Sequence, residues 1–344
     1  MKKYFAIDLF SGCGGLSEGL RQAGFSVAAA FDSDADSIAT YRLNHPDTPV
    51  FAGDIRKVDT DDVKKLLKGN PLHFLAGCPP CQGFSSIRRL NKKRNKRDNR
   101  NNLVLEYLRF VRELKPLTIM MENVPGLVNY SLFKKVLIEL QLLGYDPKVQ
   151  AVKIQEYGVP QRRQRLVLVG SLLGELDIAK PTGERVTVRD MIGHLESVSK
   201  TKDPIHRIVA VHTPDVMKRI KATPKDGGSR GDVPEFELQC HKGANVGFRD
   251  VYGRMRWDDY AGTITGGCLN PSKGRFLHPV RNRVITAREA ALLQTFPRSY
   301  KFPATVTKTA IALMIGNALP PKFSYIQSAN ILNHLKLLLD APNA

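Results

Sequence analysis

The sequence predicts an α/β fold with a mostly parallel sheet and a second, smaller domain. Short apolar runs that end on acids or glycines alternate with stretches in which apolar residues recur at helical spacing. From about residue 172 to residue 280 this pattern gives way to short, irregular pieces punctuated by proline and glycine, which indicates the second domain. With 344 residues, of which 42% are hydrophobic, the chain is long enough to bury such cores.

The chain begins with a strand, a glycine turn and a helix. Tyr4 to Leu9 is apolar except for Asp8, residues 11–15 read Ser-Gly-Cys-Gly-Gly, and apolar residues then recur at helical spacing as far as Ala23. This order is Rossmann-like, but the dinucleotide fingerprint fails because its third glycine position holds Ser17. Such a turn lets the backbone approach a ligand closely.

Acidic residues follow the next two predicted strands. The strand from Phe25 to Phe31 ends at Asp32, and a third strand closes near Asp54. Open α/β sheets bind ligands at the carboxyl ends of their strands, where a carboxylate can accept two hydrogen bonds from ribose hydroxyls. Asp34 and Asp36 follow at once and suit the first turn of the next helix, so Asp32 competes with them for the ligand role.

Helix signals mark the middle and the end of the chain. The spacing predicts helices from Leu103 to Leu114 and from Leu132 to Leu143, and an amphipathic helix that ends at Leu339. Thr286, with Glu289 three residues later, predicts a capping box.

A cysteine pair follows an apolar run. Residues 72–76 are predicted as a buried strand that breaks at Gly77 into Cys78-Pro79-Pro80-Cys81. Cys-x-x-Cys is typical of zinc or redox sites, but the other three cysteines are scattered singly and the diproline step does not favour a redox helix. One cysteine acting as an attacking thiolate fits the pattern better.

The positive charge begins just after this pair. Residues 1–87 are nearly neutral, whereas eight basic residues and one acid lie between Arg88 and Arg100, so the net charge of +19 belongs to the loop and the half of the chain that follows it. Binding to a polyanion is the natural interpretation, with a membrane surface or an acidic protein as weaker alternatives. The N-terminal apolar stretch is too short for a signal peptide or a membrane span. Five cysteines, an odd number without the spacing of a disulfide framework, agree with a reducing cytoplasm.

Three blocks in fixed order resemble the DNA cytosine-5 methyltransferases. They are Pro-Cys-Gln-Gly-Phe-Ser at 80–85, Met-Glu-Asn-Val at 121–124 and Gln-Arg-Arg-Gln-Arg at 161–165. The resemblance covers roughly residues 4–170 and 281–330. It implies a Rossmann-like S-adenosylmethionine-dependent methyltransferase fold with a smaller target-recognition domain. The implied parts are a catalytic and cofactor-binding domain at 1–175, a target-recognition domain at 176–280, and a C-terminal segment at 281–344 that returns to the catalytic domain.

The resemblance also implies roles for individual residues. The catalytic residues would be Cys81, Glu122, Arg163 and Arg165. The S-adenosyl-L-methionine site would be formed by Phe10, Gly12, Gly14, Asp32, Asp54, Ile55, Pro80, Leu103, Asn317 and Ala318. Contacts to DNA are expected from Ser85, Arg88, Arg89, Arg97, Arg254, Arg256 and Thr263. No metal is expected.

The implied reaction is methylation of C5 of a cytosine that has been flipped out of the duplex. Cys81 would attack C6 while Glu122 holds N3 of the ring, and Arg163 and Arg165 would orient the base and help to stabilise the thiolate. The enzyme would be sequence-specific and monomeric, act on double-stranded DNA near the nucleoid, and serve as the modification half of a restriction-modification system or as an orphan methylase. A cognate endonuclease would act separately.

Three alternatives remain from the sequence. One is an RNA cytosine methyltransferase on the same scaffold, which the large recognition segment disfavours. Another is a non-catalytic nucleic-acid binder, which the intact Cys81, Glu122 and Arg165 disfavour. The third is a nucleotide-dependent oxidoreductase, which rests on the Rossmann-like start alone.

Overall fold

A computed structural model describes residues 2–80, 102–236 and 250–340. Within them, seven strands form one sheet: β1 (Phe5–Leu9), β2 (Ser26–Asp32), β3 (Val50–Ala52), β4 (Phe74–Gly77), β5 (Thr118–Asn123), β6 (Lys148–Lys153) and β7 (Gln164–Ser171). Their spatial order is β3-β2-β1-β4-β5-β7-β6. The chain therefore crosses over after β3 and again at the end of the sheet, where β7 lies between β5 and β6.

The helices of the described residues fall before, between and after these strands. They are α1 (Gly15–Ala23), α2 (Ala35–Asn44), α3 (Thr60–Leu67), α4 (Leu103–Leu114), α5 (Ser131–Leu142), α6 (Val188–Ile192), α7 (Pro214–Ala222), α8 (Ala287–Leu293), α9 (Lys308–Asn317) and α10 (Pro321–Leu339). The predicted helix from Leu103 to Leu114 is confirmed at both ends, and the final helix ends at Leu339 as predicted.

The sheet is mostly parallel, as predicted. β1 pairs in parallel with β2 and β4, and the pairs β2–β3 and β4–β5 are also parallel. β7 runs antiparallel to both β5 and β6. The sequence did not predict this reversal, because an apolar run of strand length carries no information about strand direction.

The parallel strands bring their carboxyl ends to one edge of the sheet. Register places Leu9 of β1 beside Phe31 of β2 and beside Gly77 of β4, and Gly77 beside Met121 of β5. Asp32, Cys78 and Glu122 come next after these positions along β2, β4 and β5, and the glycine turn follows β1. This edge is therefore where the sheet can present chemically active groups.

Helix starts follow the capping rules. The Asp34 side chain accepts a hydrogen bond from the Ser37 amide at 2.8 Å, which makes Asp34 the N-cap of α2. The predicted capping box is confirmed, since Thr286 and Glu289 exchange hydrogen bonds at the start of α8. Glu289 is buried, and Arg283 pairs with it at 2.6 Å. The carboxylate thus joins the helix start to the preceding loop.

The chain divides into two compact units. Unit 1 contains residues 1–153, 164–182 and 319–344, and therefore the whole sheet and α10. Unit 2 contains residues 154–163 and 183–318. These divisions lie at other residues than the predicted domain ends, 175 and 280, and the functional role assigned to each domain remains a prediction.

Close packing of α1 against α10 ties the C-terminal helix into unit 1. A Cβ atom on Gly19 would lie 2.4 Å from the Ser324 side chain, so only glycine fits at this crossing. The Ser324 hydroxyl donates a hydrogen bond to the Leu16 carbonyl at 2.8 Å. The helix that begins with the glycine turn is thereby held in place by the last helix of the chain.

Candidate active site and cofactor site

The glycine turn between β1 and α1 bends through the left-handed backbone region. Phe10, Gly12 and Gly14 have φ angles of 62°, 54° and 97°, a conformation that glycine adopts without strain. A Cβ atom on Gly12 would meet no other heavy atom within 4 Å. The turn therefore leaves open space above its backbone, as a ligand-binding turn requires.

Asp32 lies at the end of β2 beside this turn. One carboxylate oxygen accepts a hydrogen bond from the Gly12 amide at 2.7 Å, and the other accepts one from the Asp34 amide at 2.9 Å. Burial raises the pKa of Asp32 above its ordinary value. Asp34 is occupied as the cap of α2, so of the two acids it is Asp32 that lies at the turn.

Asp54 begins a short 3-10 helix at Ile55–Lys57 after β3. It forms an ion pair with Arg56 at 2.7 Å, and the hydrogen bonds from Arg56 lower the pKa of Asp54 to about 2. The Gly53 amide donates to the Asp32 carbonyl at 2.8 Å. This bond brings the segment that carries Asp54 and the buried Ile55 next to Asp32, as expected for neighbours in one cofactor site.

The Cys-Pro-Pro segment leaves β4 at the same edge. The Cys78 amide donates to the Leu9 carbonyl at 3.2 Å, and the Asn123 side-chain amide donates to the Pro79 carbonyl at 2.8 Å. Two strands thus hold the backbone on the N-terminal side of Pro80. The predicted nucleophile Cys81 and the predicted DNA contacts Ser85, Arg88, Arg89 and Arg97 lie outside the described residues.

Glu122 and Arg165 face each other on the neighbouring strands β5 and β7. The Arg165 Nε atom lies 2.5 Å from Glu122 Oε1, and the two side chains are only 16% and 9% exposed. This contact is a charge pair rather than an aligned hydrogen bond, since Oε1 has no hydrogen-bond partner of ordinary geometry among the described residues. The carboxylate retains a buried acceptor position for a ligand.

Arg163 is placed differently from Arg165. It belongs to unit 2 and is 4% exposed. Its Nη1 atom donates to the carbonyls of Ile264 and Gly316 at 3.1 and 3.0 Å. These contacts favour a role in holding unit 2 together, and the catalytic role predicted for Arg163 remains a prediction.

The other predicted cofactor residues lie in separate elements. Leu103 is the first residue of α4 and packs partly buried against the core of unit 1. Asn317 is the exposed last residue of α9, and Ala318 follows it in unit 2. The cofactor contacts of Asn317 and Ala318 therefore remain predictions.

Comparison with known proteins decides the family. The family model of the C-5 cytosine-specific DNA methylases matches residues 4–332. The chain belongs to this family. It is therefore an enzyme, a DNA (cytosine-5-)-methyltransferase, and the predicted α/β methyltransferase fold is confirmed. The oxidoreductase and non-catalytic alternatives are excluded.

The similarity to individual relatives covers nearly the whole methylase. The chain is 37% identical to the Type II methylase M.HgiDII of Herpetosiphon aurantiacus, over 96% of this chain and 95% of the relative. It is 30% identical to the Type II methyltransferase M1.HphI of Haemophilus parahaemolyticus, over 92% and 83%. A solved structure described as a prophage-encoded DNA modification methyltransferase (E. coli) superposes with a TM-score of 0.76 at 26% identity, covering 98% and 100%.

Three residues predicted to contact the DNA of this methylase are described in unit 2. Arg254 is fully buried, and its guanidinium donates to carbonyls of Ile220, Thr223, His278 and Arg281 and to the Asn282 side chain. This placement favours a structural role for Arg254. Arg256 is exposed, and the Thr263 hydroxyl donates to the Arg162 carbonyl at 2.6 Å.

A buried polar network beside the glycine turn was not predicted. Asp8 is fully buried in β1 and accepts a hydrogen bond from the Ser17 hydroxyl at 2.6 Å, and Tyr41 lies 2.8 Å from the same hydroxyl. Burial, strengthened by the charge of Asp32, raises the pKa of Asp8 to about 7. The available signal was an acid inside an otherwise apolar strand.

The described part of the methylase lacks both a metal-binding cluster and a membrane-spanning helix. No group of three or more acidic, histidine or cysteine side chains in residues 2–80, 102–236 and 250–340 could hold a metal ion. Among the helices described, none is both long enough and apolar enough to cross a membrane.

Proposed function

We propose that this enzyme is a sequence-specific DNA methyltransferase that transfers a methyl group from S-adenosyl-L-methionine to C5 of a flipped-out cytosine, through a covalent bond between Cys81 and C6. Its role would be the modification half of a restriction-modification system or that of an orphan methylase. The names of its relatives, Type II methylase and Type II methyltransferase, support this role.

The observation that carries the proposal is the position of Glu122. Glu122 is the second-last residue of β5, the strand next to β4, and β4 leads directly into Cys78-Pro79-Pro80 and then Cys81. A carboxyl group near the end of one strand and an attacking thiolate a few residues beyond the end of its neighbour suit the two sides of a pyrimidine ring. Glu122 can hold N3 and the exocyclic amine while Cys81 reaches C6.

The residues at the glycine turn fit S-adenosylmethionine. Open space above Gly12 suits the methionine part, and the Asp32 carboxylate beside it suits ribose hydroxyls. Asp54 and Ile55, tied to Asp32 through Gly53, would contact the adenine, and Phe10, Gly14, Pro80 and Leu103 would complete the wall. When bound, this cofactor supplies an electrophilic methyl group on a sulfonium.

The protein's own groups supply the rest of the chemistry. Cytosine C5 is a poor nucleophile until the ring loses its conjugation, and addition of the Cys81 thiolate to C6 achieves this. A proton on the Glu122 carboxyl group, hydrogen-bonded to N3, passes to the ring nitrogen as negative charge develops there, and Arg165 holds the resulting carboxylate in place. After methylation a base removes the C5 proton, the C6–sulfur bond breaks, and the thiolate leaves.

Flipping the base costs a few kcal/mol of unstacking, which contacts elsewhere on the DNA must offset. The basic segment from Arg88 to Arg100 and exposed arginines of unit 2 such as Arg256 are suited to bind phosphates. Because Arg254 is fully buried, we assign base reading to other residues of unit 2.

A transfer assay tests the proposal. Purified enzyme with labelled S-adenosylmethionine should methylate a random-sequence DNA duplex at C5 of cytosine within one short motif, and should leave tRNA unlabelled. Label in tRNA with none in DNA would return the RNA alternative, and a methyl group at N4 of cytosine would contradict the Cys81 mechanism.

A further inference from the structure

A second thiol, Cys78, lies inside the proposed active site. It is the first residue after β4, and because Gly77 pairs in parallel with Met121, Cys78 lies beside Glu122 at the carboxyl edge of the sheet. Its backbone is tied to β1 through the Leu9 carbonyl, and the next residue, Pro79, is held by Asn123. The position of the Cys78 backbone is therefore fixed by its own strand and by contacts to β1 and β5.

The register of β4 with β5 brings the Cys78 thiol next to the Glu122 carboxylate, which can accept a hydrogen bond from it. Burial and the negative charge of Glu122 raise the pKa of the thiol well above its ordinary value, so the proton stays on sulfur at neutral pH. A protonated, half-buried thiol is a weak nucleophile and a hydrogen-bond donor. The environment of Cys78 thus suits a hydrogen-bond donor. It does not suit the deprotonated thiolate that the attack on C6 requires.

We propose that Cys78 is a positioning residue for Glu122: its thiol holds the carboxylate from one side and the Arg165 guanidinium holds it from another. This inference rests on the proposed function of Glu122 as the group that meets cytosine. Held by both neighbours, the carboxylate cannot rotate freely and already has the orientation in which it meets N3 of the ring.

The two cysteines of the Cys-Pro-Pro-Cys segment would then have different tasks. Cys81 forms the covalent bond, whereas Cys78 keeps its proton and orients the acid that binds the opposite side of the base. No oxidation or bond formation at Cys78 is part of this assignment.

Three variants of the full-length enzyme test the assignment. Cys78→Ala removes the donor, and Cys78→Ser keeps a donor of similar size. Cys268→Ala is a matched control, since Cys268 is a buried thiol of unit 2. The readouts are the single-turnover rate of methyl transfer to duplex DNA, the affinity for S-adenosylhomocysteine and the melting temperature.

Cys78→Ala should lower the single-turnover rate roughly tenfold, the effect of one hydrogen bond to a charged group, with unchanged affinity for S-adenosylhomocysteine. Cys78→Ser should recover most of the rate. Cys268→Ala should lower the melting temperature and leave the rate unchanged. In a Glu122→Gln background, Cys78→Ala should cause little further loss in the residual rate, because the two residues act through one contact.

The assignment would be overturned if Cys78→Ala kept the parent rate, if Cys78→Ser were as slow as Cys78→Ala, or if the losses from Glu122→Gln and Cys78→Ala multiplied. Each of these results leaves the proposed function intact, because the parent still methylates cytosine. A parent enzyme that leaves cytosine C5 unmodified would overturn both proposals.

Discussion

Arg165 and Glu122 form a buried ion pair across the antiparallel β5–β7 ladder, with 2.5 Å between Nε and Oε1. A pair with so little exposure loses hydration on folding, and its attraction compensates only while both partners are present. The pair is therefore sensitive to the loss of either member.

The first prediction concerns this pair. Arg165→Ala leaves the Glu122 carboxylate buried without its cation, so we expect methyl transfer to slow by about 100-fold or more and the free energy of unfolding to fall by about 3 kcal/mol. Single-turnover kinetics and chemical denaturation measure the two effects. The matched control is Arg162→Ala, which removes an arginine that is 57% exposed and should leave both quantities nearly unchanged. Equal losses from the two variants would contradict this account.

The second prediction separates Asp32 from Asp34. Asp32→Asn replaces a carboxylate that accepts from the Gly12 amide with a neutral group that is a weaker acceptor for ribose hydroxyls. We expect the dissociation constant for S-adenosylhomocysteine to rise roughly 10- to 100-fold, the range for hydrogen bonds to a charged group. Asp34→Asn keeps an equally good N-cap for α2 and should bind as the parent does. Calorimetric titration measures both dissociation constants. A larger rise for Asp34→Asn than for Asp32→Asn would mean that Asp34 is the residue that contacts the cofactor.

The third prediction follows from Asp8. Burial raises the pKa of this acid from 3.8 to about 7. As pH rises from 4 to 7 the unfolded chain gives up this proton while the folded protein keeps it, so the contribution of Asp8 to stability falls through that window and is constant above it. The difference in free energy of unfolding between Asp8→Asn and the parent should therefore shift in favour of the variant by about 2 to 3 kcal/mol from pH 5 to pH 8.

Urea denaturation of both proteins at the two pH values measures this difference. A gap between Asp8→Asn and the parent that is the same at pH 5 and pH 8 would show that Asp8 is already ionised at pH 5 in the folded protein.

The fourth prediction concerns the basic segment. Neutralising Arg88, Arg89 and Arg97 together should weaken DNA binding and make it less dependent on salt, because each phosphate contact contributes about −0.9 to the slope of log affinity against log salt. Sequence preference should barely change. Lys64→Ala with Lys65→Ala is the control, since these lysines pair with Asp61 and Asp62 on α3. An unchanged salt slope in the triple variant would mean that these arginines do not contact phosphate.

Periodicity and spacing predicted the elements that depend on local signals. The bounds of α4 and the capping box at Thr286 follow from side-chain spacing along one segment, and both were found where they were predicted. The direction of β7 was not predicted, because pairing direction depends on where the chain returns in space.

Two arginines show why the candidate site could be predicted only in part from the sequence. Arg254 and Arg256 stand two residues apart in one basic, aromatic stretch, yet Arg254 is fully buried among carbonyl groups and Arg256 is exposed. Burial depth is set by tertiary packing. The local composition is the same around both arginines and therefore does not show which of them is buried. In the same way, Cys78 was recognised as one of two cysteines, but its place beside Glu122 depends on the register of β4 with β5.

Covalent capture tests the central claim, the bond between Cys81 and C6. If Cys81 adds to C6, release of the enzyme requires loss of hydrogen from C5, so a duplex with 5-fluorocytosine at the target should accept the methyl group and remain attached. With S-adenosylmethionine present, we predict a denaturant-stable complex whose peptide map places the base on Cys81, and no complex with Cys81→Ser. A complex attached through Cys78, or full turnover by Cys81→Ser, would contradict the account.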